Sequence, residues 1–210
     1  MKGFPQFILA SRSPRRQQLL REAGYDVAVM PPPLEEPPLL AHGNPSQLAQ
    51  ALAYFKASSV LGERPDRLVL GADTLVVRDQ ELMGKADDPD QARRMLQSLS
   101  GSRHRVITGL AMLIPPCRQE PPGPRERFLA SETTYVTMRP LSGEEIDGYI
   151  ALNEWRDKAG AYAIQESGDA FIEKIEGSWS NVMGLPMELL DRMFRQVLRL
   201  VELRNGTICR

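Results

Sequence analysis

The sequence predicts an α/β fold: a mixed sheet flanked by helices, with a ligand cleft between two halves. Three observations carry that expectation. Short apolar runs alternate with helix-periodic stretches through the first half of the chain. A pair of long strand candidates with flanking helical segments fills the second half. The length, 210 residues, suffices for one substantial α/β domain. We read residues 1–203 as a single domain and 204–210 as a flexible tail.

Residues 7–10, Phe-Ile-Leu-Ala, form a short apolar run that suits a buried strand. Ser13 is a good N-cap and Pro14 fits the first helical position. Leu19, Leu20 and Ala23 continue as a helical stripe. Residues 27–30 read as a second strand. Residues 31–45 hold six prolines and must form a surface loop. Pro45 or Ser46 then opens a helix with Leu48, Ala51, Leu52 and Phe55 on one face and Lys56 at its edge.

Residues 67–72 read as a buried strand with Asp73 and Thr74 at its C-terminal end. Residues 75–77 and 82–83, joined by Arg78-Asp79-Gln80-Glu81, suit a hairpin closed by Gly84-Lys85. Asp88-Pro89 begins a helix with Ala92, Met95, Leu96 and Leu99 inward, and Ser100-Gly101 ends it. Residues 105–114 and 128–138 are the long strand pair, joined by a proline-rich connection at 115–124. Ser142-Gly143-Glu144-Glu145 has the capping-box pattern before Ile146, Tyr149 and Ile150. Residues 157–165 form a Gly/Ala-rich turn, and residues 170–175 a strand. The clearest helix is 186–201, where Leu190, Met193, Phe194, Val197, Leu198 and Val201 repeat at helical spacing.

Composition narrows the function classes. Net charge is -1, so no global basic field recruits nucleic acid or a membrane surface. Cys117 and Cys209 are the only cysteines and make no disulfide framework, which suits a reducing compartment. No signal-peptide pattern and no span-length apolar run is evident. His42 and His104 are too few and too far apart for a histidine metal site or triad. The chemistry therefore falls to carboxylates, lysines and arginines.

At one helix N-terminus, Ser11, Ser13, Arg15 and Arg16 gather hydroxyls, unpaired amides, the positive end of the helix dipole and guanidinium groups. That is an anion-binding arrangement, although the same residues also suit an ordinary capped helix with solvated arginines. Asp73, held rigidly at a cleft mouth, can bind a divalent cation or act as a base on water; capping of the following turn is the simpler alternative. Glu35 and Glu36 supply a second carboxylate source on the proline-rich loop, or are merely solvated there. Lys56 and Lys85 can face a charged ligand or simply face solvent. Gln165 offers amide donors and an acceptor for the edge of a base, or is an exposed turn residue.

Taken together these segments resemble the Maf-type nucleoside triphosphate pyrophosphatases. The matching pieces are Ser11-Arg12-Ser13-Pro14-Arg15-Arg16 with Leu19-Leu20, Glu35-Glu36, Lys56-Ala57, Gly71-Ala72-Asp73-Thr74 and Gly84-Lys85. Leu99-Ser100-Gly101, Asp157 through Tyr162, Ile164-Gln165 and Asn181 through Pro186 follow in family order. They cover roughly residues 7 to 198, and as a set they are highly specific. The resemblance implies a Maf/ITPase-like fold with a nucleotide cleft, and hydrolysis between the α- and β-phosphates to a monophosphate and pyrophosphate.

By the same resemblance, Asp73 is the proton acceptor and Glu36 assists a metal that Asp73 also contacts. Ser11, Ser13, Arg15, Arg16, Lys56 and Lys85 bind substrate. Arg15, Thr74 and Gln165 set the base preference, favouring the dTTP/UTP branch over the 7-methyl-GTP branch. A divalent cation, Mg²⁺ or Mn²⁺, a cytoplasmic location, a homodimer, and no nucleic-acid or membrane partner are also implied. A non-catalytic nucleotide-binding regulator of cell division is the alternative, opposed by Asp73. The family's usual Gly-Lys-Pro reads Gly84-Lys85-Ala86 here, which frees a backbone N–H and loosens the turn.

Overall fold

The computed structural model describes residues 6–34, 43–61, 67–115, 126–164 and 167–208. Glu35, Glu36, Gln165, both cysteines and most of the 115–124 connection lie outside the described residues.

A seven-stranded mixed sheet forms the frame. In chain order the elements are β1 (Phe7–Ala10), α1 (Pro14–Glu22), β2 (Val27–Val29), α2 (Pro45–Leu61), β3 (Val69–Arg78), β4 (Glu81–Met83) and α3 (Pro89–Leu99). They continue as β5 (Arg103–Leu113), β6 (Arg127–Met138), α4 (Gly143–Ala151), a 3-10 turn (Ser167–Phe171), β7 (Ile172–Glu176), α5 (Trp179–Val182) and α6 (Met187–Ile208). The spatial order is β2-β1-β3-β5-β6-β7, with β4 beside β3. β1 pairs in parallel with β2 and β3, and all other pairings are antiparallel.

The caps form as their residues dictate. Ser13 accepts from the Arg16 N–H with Pro14 next to it, and Asp88 accepts from the Gln91 N–H with Pro89 next to it. Ser142 and Glu145 complete a reciprocal capping box.

Two expectations are corrected. Asp73 does not end a strand, because β3 runs unbroken from Val69 to Arg78. Leu75, Val76 and Val77 extend the β-favouring run, and β5 pairs with the whole of it. Residues 170–175 are not all strand: the 3-10 turn takes 167–171, and the ladder begins at Ile172. The backbone is helical to Ile208, past Arg204 where the sequence predicts a tail. Glu202, Leu203 and Arg204 are all good helix formers.

The two faces of the sheet are covered unequally. One carries the main core, where Leu70, Ala72, Val76 and Leu110 pack with Leu20, Leu96, Ile146 and Phe194 from the helices. The other face is covered by α2. Ala53, Ala57 and Val60 pack on Ile8, Val69 and Ala111, and Ala49 and Leu52 pack on Leu75, Val77 and Ile107. The helix lies close because two facing sheet positions lack side chains. A Cβ on Gly71 would fall 2.1 Å from the Ala53 carbonyl oxygen, and one on Gly109 would fall 2.2 Å from the Ala49 backbone.

Candidate active site

β1 stops at Ala10, opposite Gly71, while β3 continues. β4 takes up pairing only at Val76. Between them, residues 72–75 of β3 have no strand neighbour on that side among the described residues. Here lies a cleft of about 710 Å³. Ser11, Ser13, Arg15, Arg16, Lys56, Asp73, Thr74 and Lys85 all line it. The structure thus brings together every predicted site residue that it describes. The exposure expected from a strand end comes instead from the early end of the neighbouring strand.

Successive side chains on β3 point to opposite faces. Asp73 faces α2, where its carboxylate forms a buried ion pair with the Lys56 ammonium. Each charge compensates the other in a site that neither would occupy alone at low cost. Thr74 faces the other way. Its hydroxyl accepts from Arg16 Nη2 at 3.0 Å and lies 3.0 Å from the Thr108 hydroxyl.

The two neighbouring arginines of α1 have different placements. Arg15 is half-buried in the cleft wall. Arg16 is buried and directs its guanidinium at protein acceptors: Gly184 O from Nε (2.7 Å), Ser11 Oγ and Ala72 O from Nη1 (3.2 and 2.9 Å), and Thr74 Oγ1 from Nη2. It satisfies the Ala72 carbonyl just where β1 no longer can. It also joins α1, β3 and the turn after α5. Ser11 Oγ accepts as well from the Ser13 N–H at 3.1 Å, which tightens the turn into α1.

Lys85 is exposed at the rim. Its backbone forms an isolated antiparallel bridge with Ala159, and the Gly160 N–H donates to Gly84 O at 2.9 Å. This pairing holds the turn that Ala86 by itself would loosen. The facing loop carries two non-glycine residues in the left-handed region, Asp157 (φ 59°) and Ala161 (φ 61°). Such strain persists only where surroundings impose it. One anchor is Tyr162, a wall residue whose hydroxyl lies 2.7 Å from His104 Nε2. Burial is the first cause of two opposite shifts: the Tyr162 phenol is pushed up, and His104 is pushed down to about 4, with Arg78 adding to the latter.

Arg12 and Arg156 also line the cleft, and the sequence reading assigns a role to neither. Arg12 is legible within its motif. Arg156, stacked 4.7 Å from the Trp155 ring, follows no pattern that marks it. Glu36 and Gln165 lie outside the described residues, so their predicted roles stand without a position. Among the described residues no three His, Cys, Asp or Glu side chains gather as a metal cluster.

A buried carboxylate and its lysine, set in a cleft rimmed by further cations on an α/β sheet, define a protein that handles a small polyanion. The chain belongs to the Maf-like protein family, which it matches over residues 6–197. It is 43% identical over 191 residues to the dTTP/UTP pyrophosphatase of Symbiobacterium thermophilum, covering 91% of this chain and 93% of that one. It is 41% identical over 191 residues to the dTTP/UTP pyrophosphatase of Bacillus cytotoxicus, covering 91% and 95%. Among solved structures, a nucleoside-triphosphatase / dITP/XTP pyrophosphatase from Mycobacterium abscessus aligns over 96% of this chain and 97% of that one, with 15% identity and a TM-score of 0.44.

Proposed function

We propose that this protein is a nucleoside triphosphate pyrophosphatase that hydrolyses dTTP and UTP to the monophosphate and pyrophosphate. The observation that carries the reading is the placement of Asp73, a buried carboxylate turned to the cleft beside Lys56 and the α1 N-terminus. The relatives named for that activity support the choice of substrate.

In the proposed reaction, water attacks the α-phosphorus and its proton passes to Asp73. The bond from the α-phosphorus to the bridging oxygen breaks, and pyrophosphate leaves with that oxygen. Ser11, Ser13, Arg15, Lys56 and Lys85 hold the phosphates and stabilise charge on them. Arg16 serves this grip indirectly, by fixing Ser11, β3 and the Gly184 turn in one frame. Thr74, Arg15 and Gln165 read the base.

The donor set suits a hard divalent cation, Mg²⁺ or Mn²⁺: one carboxylate from Asp73, a second from Glu36, and phosphate oxygens with water for the rest. When bound, such an ion neutralises phosphate charge and polarises the reacting phosphorus. A homodimer and a cytoplasmic location belong to the same proposal. No helix among the described residues is long and apolar enough to cross a membrane.

Pyrophosphate release over a panel of nucleoside triphosphates tests the reading, with Mg²⁺, Mn²⁺ or a chelator. dTTP and UTP should lead and chelation should abolish turnover. Asp73→Asn should bind nucleotide yet lose nearly all activity. Gln165→Ala should relax base preference more than it slows turnover. Preference for 7-methyl-GTP, or an active Asp73→Asn, overturns the proposal.

A further inference from the structure

The polar contacts around Thr74 have a direction. The Asn181 carbonyl can only accept, and it takes the Gly184 N–H at 2.9 Å and the Thr108 hydroxyl at 3.1 Å. A hydroxyl has one hydrogen. The contact between Thr108 and Asn181 is a hydrogen bond only when Thr108 gives its hydrogen to that carbonyl, and the contact with Thr74, 3.0 Å away, is then one in which Thr74 donates. Arg16 Nη2 is a donor without alternative, so Thr74 accepts from it. All three contacts are made together when the chain runs from Arg16 to Thr74, from Thr74 to Thr108, and from Thr108 to the Asn181 carbonyl. Thr108 and Asn181 are buried, so no solvent competes for these contacts. Thr74 is half-buried at the cleft wall, and what it has left to offer is one lone pair.

We propose that Thr108 is a specificity-determining positioning residue: by taking the hydrogen of Thr74 it holds Thr74 as an acceptor toward the cleft. The cleft then selects a base with a ring N–H, as uracil and thymine have at N3, over one with a ring lone pair, as cytosine has there. This rests on the proposed reading in which Thr74 meets the base. A cytosine N3 brought to the same point meets an acceptor, or draws the Thr74 hydrogen away from Thr108 and forfeits that buried bond.

The test is kcat/KM for UTP and CTP with the intact protein and the variants Thr108→Val, Thr108→Ser and Thr74→Val. The intact protein should favour UTP. Thr108→Val frees the Thr74 hydrogen to donate, and the UTP-to-CTP ratio should fall about tenfold, mainly through a lower KM for CTP. Thr108→Ser keeps the hydroxyl and should keep the ratio. The Asn181 carbonyl retains its Gly184 partner in Thr108→Val, so no buried acceptor is stranded. A purely structural role would slow both substrates alike and leave the ratio in place. A ratio in Thr108→Val within about twofold of the intact protein overturns the inference. If Thr74→Val still shifts the ratio, the relay alone fails; if it does not, the base-contact reading fails too. Should Thr108→Val not fold, Thr108→Ala removes the same hydroxyl and is held to the same threshold.

Discussion

His104 is buried on β5 with one ring nitrogen 2.7 Å from the Tyr162 hydroxyl and the other, Nδ1, buried without a hydrogen-bond partner among the described residues. Burial and, secondarily, Arg78 bring its pKa down from 6.5 to about 4. Between those values the unfolded chain binds a proton that the folded one refuses. Stability is therefore complete above pH 6.5 and falls as pH drops toward 4, by about 3 kcal/mol in all if this residue acts alone. His104→Gln should flatten the dependence of unfolding free energy on pH in that window; coincident pH curves for the two proteins would refute the assignment. This residue also marks where sequence reading runs out. Spacing alone dismisses His104 as a metal ligand, but spacing cannot reveal a tyrosine 58 positions away as its partner. Asp73, Lys56, Arg15 and Lys85 are legible because charged residues beside apolar runs stand out. The division of labour between Arg15 and Arg16 is not legible: adjacent helix positions differ by about 100° in direction, and only packing decides which turns inward.

At the scale of elements, α2 illustrates a helix placed by what its neighbours lack. Gly71 and Gly109 let its backbone touch the sheet, and that depth allows Lys56 to reach Asp73. Gly109→Ala should destabilise the fold by about 2 kcal/mol, read by urea unfolding, because backbone rather than a flexible side chain opposes the new methyl. On α4, a methyl added at Gly148 would meet nothing within 4 Å, so Gly148→Ala should instead stabilise by about 0.5–1 kcal/mol. Equal effects at the two sites would contradict this account. The starts of α1, α3 and α4 are legible, since Ser13-Pro14, Asp88-Pro89 and Ser142 with Glu145 are local signals. The extent of β3 is not, because the Asp-Thr pair reads locally as punctuation and only pairing with β5 carries the strand through it. α5 escapes notice because four residues are too short to show a period.

At the scale of the whole molecule, the cleft is assembled from segments far apart in sequence, and Arg16 alone spans 168 positions to Gly184. A ligand that touches both should lock them together. Asp73→Asn, which should bind without turnover, should gain about 2.7 kcal/mol of stability from dTTP at a hundred times its dissociation constant. That corresponds to a rise in Tm of about 5–10 °C. 7-Methyl-GTP at the same concentration should give a smaller rise, and an equal one would count against base reading by this cleft. The α/β class is legible from the alternation of runs and periods, whereas strand order is not, since it depends on which edges meet. Asp73 and Thr74 belong to one short piece of chain yet look out from opposite sides of it, so in the proposed reaction a single peptide unit partitions hydrolysis from discrimination. On that proposal, exchanges on the Thr74 side should retune which letter is accepted while the acid behind it goes undisturbed, and a change of diet needs no new chemistry.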